Sequence, residues 1–393
     1  MRGTPPESTL PTAGARQAVL REALDAIRQV PDDWRRSRAL RGLARHLSYG
    51  MLSEALALAR DLTEAGARSR ALADLARYLP VEEREQILQA AIAAVRQLPS
   101  EADRVGVLNL VARQSSGDAR LAIGREALSA IQQSFNNAWS LAGSTLGDEL
   151  VNLPSELTEA ALELTRCLPI AWERAQTLGI LAGRLPSEAR EIVFQEASHI
   201  AQGLADPAQR ALVIAGLAHH SPEPLRSRLV KESLDSIQQC EDDLSRARVA
   251  GLLLPLLPEK RKNRILALTR SINDRVIRMH ALAWLAPNLP DDQGKLLVEE
   301  ACSILESQSD DWVRADGLAL LSPLLPVERL PDALSIAHAL DDAWARAEAL
   351  GVLSERMNES GKVHTLAAAL AAARSLDAPW PRARALTGVV ARL

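Results

Sequence analysis

One recurring column of residues constrains this chain more than any other feature. Counting Trp34 as position zero, the same frame returns at Gly66, Ala102, Trp139, Trp172, Ala208, Leu244, Val276, Trp312, Trp344 and Trp380. Six of the seven tryptophans fall on that position, Trp284 being the other. Arginine stands two residues later in ten of the eleven copies: Arg36, Arg68, Arg104, Arg174, Arg210, Arg246, Arg278, Arg314, Arg346 and Arg382, with Leu141 the exception. A small residue often follows at +3 (Ala175, Ala247, Ala383), and apolar residues recur at +6, +9 and +13, as in Leu40, Leu43 and Leu47. The steps are 32, 36, 37, 33, 36, 36, 32, 36, 32 and 36 residues, a mean of 34.6. The two commonest lengths differ by four residues, about one helical turn. Long and short copies therefore keep their apolar faces nearly in phase. A period in this range is the mark of stacked repeats.

Each copy reads as two helices. The second, helix B, opens beside aspartate, as in Asp32-Asp33-Trp34, Asp310-Asp311-Trp312 and Asp341-Asp342. Such side chains accept from the free N–H groups of a first helical turn. Helix B stops at a Leu-Pro pair such as Leu79-Pro80, Leu185-Pro186 or Leu289-Pro290, since proline disfavours helix in the residue before it. Acids follow at once (Glu82, Glu188, Asp291), where the helix dipole favours negative charge. Helix A is then amphipathic: Ile87, Leu88, Ala91, Ile92, Val95 and Leu98 share one face. A lone pair cannot bury its apolar stripe, whereas stacked pairs can. The expected fold is all-α, a right-handed α-α superhelix (solenoid) of about eleven helix-pair repeats. It should occupy 15–393 as one array behind a flexible arm, 1–14, that holds Pro5, Pro6 and Pro11.

On a helical wheel the +2 arginine lies inside the apolar arc, close to a helix N-terminus where a cation is disfavoured. It should therefore meet a carboxylate, and the aspartates of a neighbouring repeat are the candidates. We expect Arg36, Arg68, Arg174, Arg246, Arg314 and Arg346 to form a structural ladder rather than a ligand grip, because a ligand site rarely needs ten identical members. The position-zero tryptophans should pack on the adjacent helix; an exposed peptide-binding row is the other reading.

Composition agrees. Hydrophobic residues make up 47% of the chain and aromatics only 3%, which favours helix over strand. The net charge of −4 gives no general pull toward nucleic acid or anionic membrane. Arginine greatly outnumbers lysine, the bias expected of a GC-rich bacterial genome; selection for arginine's pairing geometry is the other reading. Three distant cysteines, Cys167, Cys240 and Cys302, suit a reducing cytoplasm better than a disulfide framework, and Cys167 and Cys240 should be buried small hydrophobes. No run approaches the eighteen apolar residues of a membrane span.

No Walker-type phosphate loop, Gly-x-Gly-x-x-Gly, His-Glu-x-x-His or Cys-x-x-Cys occurs in the sequence. His219-His220 is the one histidine cluster, and a helix C-terminus suits it better than a metal does. No cofactor is implied. The repeat breaks its own rule across 113–152, where Gln114-Ser115-Ser116-Gly117 replaces Leu-Pro and Phe135, Asn136 and Asn137 precede Trp139. A hinge or partner site there, with His219 and His220 a second candidate contact, is the functional reading; drift in a tolerant repeat is the other. Leu386, Val389, Val390 and Leu393 end the chain without a polar closing helix, leaving open a second copy, a partner or a domain absent from this chain.

At Asp310-Asp311-Trp312-Val313-Arg314-Ala315 through Leu321 the chain resembles HEAT-type α-solenoids, whose helix B often opens with Asp, an apolar residue and Arg. Its mean period is closer to that of tetratricopeptide repeats. It also looks like the Trp-x-Arg-Ala-x-x-Leu arrays of bacterial multidomain proteins. The resemblance implies a non-enzymatic scaffold or sensor module that binds another protein through the superhelix surface. The alternatives are nucleic-acid binding on a concave arginine face, tested by whether Arg38, Arg70, Arg248 and Arg384 line one surface, and a small-ligand enzyme in the groove.

Overall fold

The computed structural model describes residues 13–136 and 146–393. Among them are 22 α-helices and no strand, and the helices pack with neighbours in sequence order, as in an α-solenoid. The A helices are α1 (Ala13–Arg28), α3 (Tyr49–Arg60), α5 (Val81–Val95), α7 (Gly117–Asn136), α9 (Thr158–Arg166), α11 (Ser187–Gln202), α13 (Leu225–Ile237), α15 (Glu259–Arg270), α17 (Asp291–Glu306), α19 (Leu330–His338) and α21 (Glu359–Arg374). The B helices are α2 (Asp33–Ala44), α4 (Ala65–Ala76), α6 (Glu101–Gln114), α8 (Leu146–Asn152), α10 (Ala171–Ala182), α12 (Pro207–His220), α14 (Asp243–Leu253), α16 (Arg275–Leu285), α18 (Asp311–Leu321), α20 (Ala343–Ser354) and α22 (Pro379–Val390). Position zero is the second residue of every B helix except α8. The expected arm, 1–14, lies outside the described residues except for its last two, which already belong to α1.

The expected caps form. The side chains of Asp32, Asp242, Asp310 and Asp342 each accept from the backbone N–H three residues on, at 2.6 to 2.9 Å. The +6 and +9 residues build the core: Leu40, Leu43, Leu108, Leu178, Leu181, Leu282, Leu318 and Leu321 are each 0% exposed. Five B helices, α4, α10, α14, α16 and α18, end three or four residues before their Leu-Pro pairs. Pro255, Pro287 and Pro323 stand in 3-10 turns that follow α14, α16 and α18 directly, because a proline there removes an i→i−4 donor. Where Leu-Pro is missing after α6, Gly117 takes a φ of +53°, a left-handed value that glycine adopts without a Cβ penalty, and α7 starts there.

The chain divides into two compact units. The first comprises Met1–Ile87 with Pro290–Leu393, and the second Leu88–Leu289. In the first unit α18 packs on α20, α20 on α22, α22 on α2 and α2 on α4, so one layer of B helices runs through both chain ends. Helix α1 packs on α22 as well. Of the stripe that the sequence leaves uncovered, Leu386, Val389 and Val390 are buried there and Leu393 is partly buried. In the second unit the short α8 touches α6 and α10, and α10, α12, α14 and α16 follow one another. Polar side chains stitch α8 in place. Asn109 Nδ2 donates to Glu149 O at 2.9 Å, and Gly147 N donates to Glu173 Oε1 at 2.8 Å, with Asn109 and Glu173 both buried.

Candidate functional site

The recurring arginine finds a partner other than the expected carboxylate. Arg36 Nε donates to Val30 O at 3.0 Å, Arg104 Nε to Leu98 O at 2.9 Å, Arg174 to Leu168 O at 2.6 Å and Arg246 Nε to Cys240 O at 2.7 Å. Arg68, Arg210, Arg278, Arg346 and Arg382 likewise reach back six residues. In every case the acceptor lies just past helix A of the same repeat. The hairpin turn sets the negative end of helix A beside the start of helix B, so carbonyls left without helical donors receive the guanidinium. Arg314 shows no such bond, and its Nε is buried without a partner. Where a carboxylate joins in, it comes from the same helix: Asp33 to Arg36 at 3.7 Å, Glu101 to Arg104 at 2.9 Å and Asp243 to Arg246 at 3.6 Å.

Repeats are instead linked by two other sets of contacts. Asp33 Oδ2 accepts from Thr63 N at 2.7 Å, Thr63 Oγ1 at 2.7 Å and Glu64 N at 2.9 Å. Asp243 binds Asn273 N and Asp274 N in the same way, and Asp311 binds Asp341 N and Asp342 N. Burial works against the Asp33 carboxylate, but the Thr63 hydroxyl, the two N–H groups and Arg36 outweigh it and hold its pKa below the usual value. The second set joins the A helices: Arg28 with Glu54 at 2.6 Å, Arg96 with Glu126 at 2.8 Å, Arg166 with Glu196 at 3.0 Å, Gln202 with Glu232 at 2.9 Å and Arg374 with Glu22 at 2.7 Å. Each basic or amide residue stands six before position zero and each glutamate about twelve before it. The Arg374–Glu22 rung joins repeat eleven to repeat one with the geometry used between consecutive repeats.

The B-helix face of the first unit differs from this acid-balanced A side. Trp34 and Trp312 are 45% and 53% exposed, while Trp344 and Trp380 are partly buried, so the tryptophan row reaches the surface unevenly. It also packs on neighbours. Trp312 and Trp344 stack at 4.4 Å with planes 22° apart, the Arg384 guanidinium lies over Trp344 at 5.1 Å, and that of Arg70 over Trp34 at 5.9 Å. Both cation–aromatic pairs join position zero of one repeat to position +4 of the next. A groove of about 300 Å³ is lined by Trp34, Arg35, Ser37, Arg38, Arg41, Arg70 and Asp74. A second, of about 410 Å³ and sharing Arg38 and Arg41, adds Trp380, Arg384 and Thr387. Arg41 stands 3.9 Å from Asp74. Among the described residues, Arg35, Arg38, Arg70 and Arg384 have no carboxylate within salt-bridge reach. Arg38, Arg70 and Arg384 thus share one surface, while Arg248 lies on α14 in the second unit.

The other expected contacts are dispersed. Phe135 and Asn136 end α7, and Asn137 lies outside the described residues. His219 and His220 end α12, where His219 Nε2 meets Leu252 O at 2.6 Å. Burial, with His219 beside it, lowers the pKa of His220. Among the described residues no group of three or more His, Cys, Asp or Glu is placed to hold a metal ion, and no helix is long and apolar enough to cross a membrane. Cys240 and Cys302 are buried, and burial pushes the Cys302 thiol up to about 11. Cys167, at the end of α9, is exposed where burial was expected. The chain matches no family model, and it matches no curated protein.

Proposed function

We propose that the chain is a non-enzymatic binding scaffold or sensor module of a HEAT-like or tetratricopeptide-like bacterial type. It works in the cytoplasm and holds another protein on the B-helix face of its first unit. The observation that supports this is the row of half-exposed tryptophans flanked by guanidiniums that no carboxylate claims. Tryptophan and arginine are enriched among residues that dominate binding energy, since both bring large area and fixed geometry to a contact. The A side offers less: arginines such as Arg28 and Arg374 are already engaged by glutamates of the next repeat. A photo-crosslinking residue at Trp312, compared with one at the exposed Leu296 on α17, tests the reading. We expect protein adducts chiefly from position 312; equal or greater labelling from 296 refutes a B-face site. Nucleic-acid binding is the second reading, because Arg38, Arg70 and Arg384 line one surface.

A further inference from the structure

The geometry points to an acidic, extended peptide segment of a partner protein, with a carboxylate at about every third residue, as the occupant of the B-face grooves of the first unit. This rests on the docking reading above and adds its chemistry. Along the layer α18, α20, α22, α2, α4 the +4 position reads Asp316, Glu348, Arg384, Arg38, Arg70. The basic stretch therefore spans three neighbouring helices and then changes sign.

Packed helices stand about 8–10 Å apart. Three such guanidiniums cover roughly 20 Å. An extended chain advances about 3.3 Å per residue, so carboxylates on every third residue recur at about 10 Å and can meet Arg384, Arg38 and Arg70 in turn. Arginine suits this partner because its planar fork matches a carboxylate. Trp380, on the wall of the second groove, gives the intervening side chains an apolar surface.

Two features oppose a nucleic-acid strand. A phosphate backbone carries charge without a break, whereas beyond Arg384 the next +4 residue is Glu348, whose carboxylate lies 3.7 Å from Arg392, so the row of unclaimed guanidiniums stops there. Bases need free aromatic faces, but Trp312 and Trp344 already stack on each other, and Arg70 and Arg384 lie over Trp34 and Trp344.

The probe is a fluorescein-labelled nonapeptide with glutamate at its second, fifth and eighth places and serine elsewhere. Its binding to the full chain is followed by anisotropy beside that of the glutamine analogue and of a nine-residue oligothymidylate. We expect the glutamate peptide to bind about tenfold or more tighter than the analogue. The double variant Arg38→Glu, Arg384→Glu should lose that advantage while its circular dichroism stays unchanged. The single variant Arg70→Gln, which keeps the net change small, should lose it in part and serves if the double variant misfolds. Equal binding of the two peptides, tighter binding of the oligonucleotide, or indifference to both variants overturns the assignment. If the peptides fail while crosslinking from position 312 still yields protein adducts, the acidic chemistry falls and the docking reading stands.

Discussion

The carboxylate of Asp33 receives the backbone N–H of Glu64 at 2.9 Å, across the boundary between the first and second repeats. The same oxygen takes the Thr63 N–H and hydroxyl, and the other faces Arg36. One side chain thus links the Arg36 clasp on its own hairpin to the start of the next B helix. Aspartate holds the residue before position zero only at Asp33, Asp243 and Asp311, and each of the three is followed by a step of 32 residues. The helix A that follows is the short kind, with α3 and α15 at 12 residues against 16 for α11 and α17. Losing one turn brings the approach to the next B helix within reach of the aspartate.

Asp33→Ala should therefore destabilise the first unit by about 1–3 kcal/mol at neutral pH, the cost of losing a charged acceptor shared by two part-buried N–H groups and a hydroxyl. Hydrogen exchange at the Thr63 and Glu64 amides should quicken most. The pH dependence follows from the lowered carboxyl pKa. The folded state holds the Asp33 proton more weakly than the unfolded chain does. The contribution is then full above the unfolded value of about 4 and fades as pH falls through the folded value. The gap between wild type and Asp33→Ala should narrow below about pH 4; a gap that widens there contradicts the geometry.

The contact between α1 and α22 makes a separate prediction. The Arg374–Glu22 pair is about half exposed, so Glu22→Gln should cost under about 1 kcal/mol. Leu24, 1% exposed in α1, carries more, and Leu24→Ala should cost about 2–5 kcal/mol. The diagnostic readout is distance along the chain. Amides of α22 should lose exchange protection when Leu24 is truncated, although the two lie at opposite ends of the sequence. Unchanged protection in α22 would mean that the terminal repeats do not support each other.

Much of this architecture was legible in the residues themselves. The position-zero column, the aspartate caps and the apolar +6 and +9 positions locate every described B helix but α8, where repeat four lacks its arginine. The partner of the +2 arginine was not legible, because a helical wheel gives a direction and not what stands opposite. Only the hairpin turn shows that the end of helix A faces Arg36, so the Val30 carbonyl takes the place expected of an aspartate. The Arg28–Glu54 type of rung is present in the spacing but carries no distinguishing mark, since charged residues on an exposed face look like ordinary solvation. The meeting of Arg374 and Glu22, 352 residues apart, has no trace in a pattern that compares each repeat only with the next. The candidate site was half visible: Arg38, Arg70 and Arg384 stood out by position, but their freedom from carboxylates needed the fold.

Helix-to-helix approach in the second unit gives a third prediction. A Cβ on Gly179 of α10 would fall on Leu217 Cδ2 of α12. Leu217 is 2% exposed and cannot swing out to solvent. Gly179→Ala should therefore destabilise by about 1–3 kcal/mol through overpacking, despite alanine's better helix propensity. Adding Leu217→Ala should cost less in this background than in wild type, because the smaller side chain makes room for the new methyl. A denaturation double-mutant cycle measures that coupling, and additivity within about 0.5 kcal/mol would place the two helices further apart.

The stacked pair on the B face separates binding from stability. Trp312 is 53% exposed and its ring contact is with Trp344, so Trp312→Ala should cost only about 0.5–1.5 kcal/mol. Trp344→Ala removes the same stack and also the surface under Arg384, worth about 0.5–1 kcal/mol more. Both variants should abolish the exciton couplet that two indoles 4.4 Å apart produce in circular dichroism. Arg384→Gln should leave that couplet in place, because the guanidinium touches Trp344 without holding the two rings together. If Arg384→Gln erased the signal as fully as Trp312→Ala does, the arginine would be part of the scaffold of the stack, and its availability to a carboxylate partner would be lost with it.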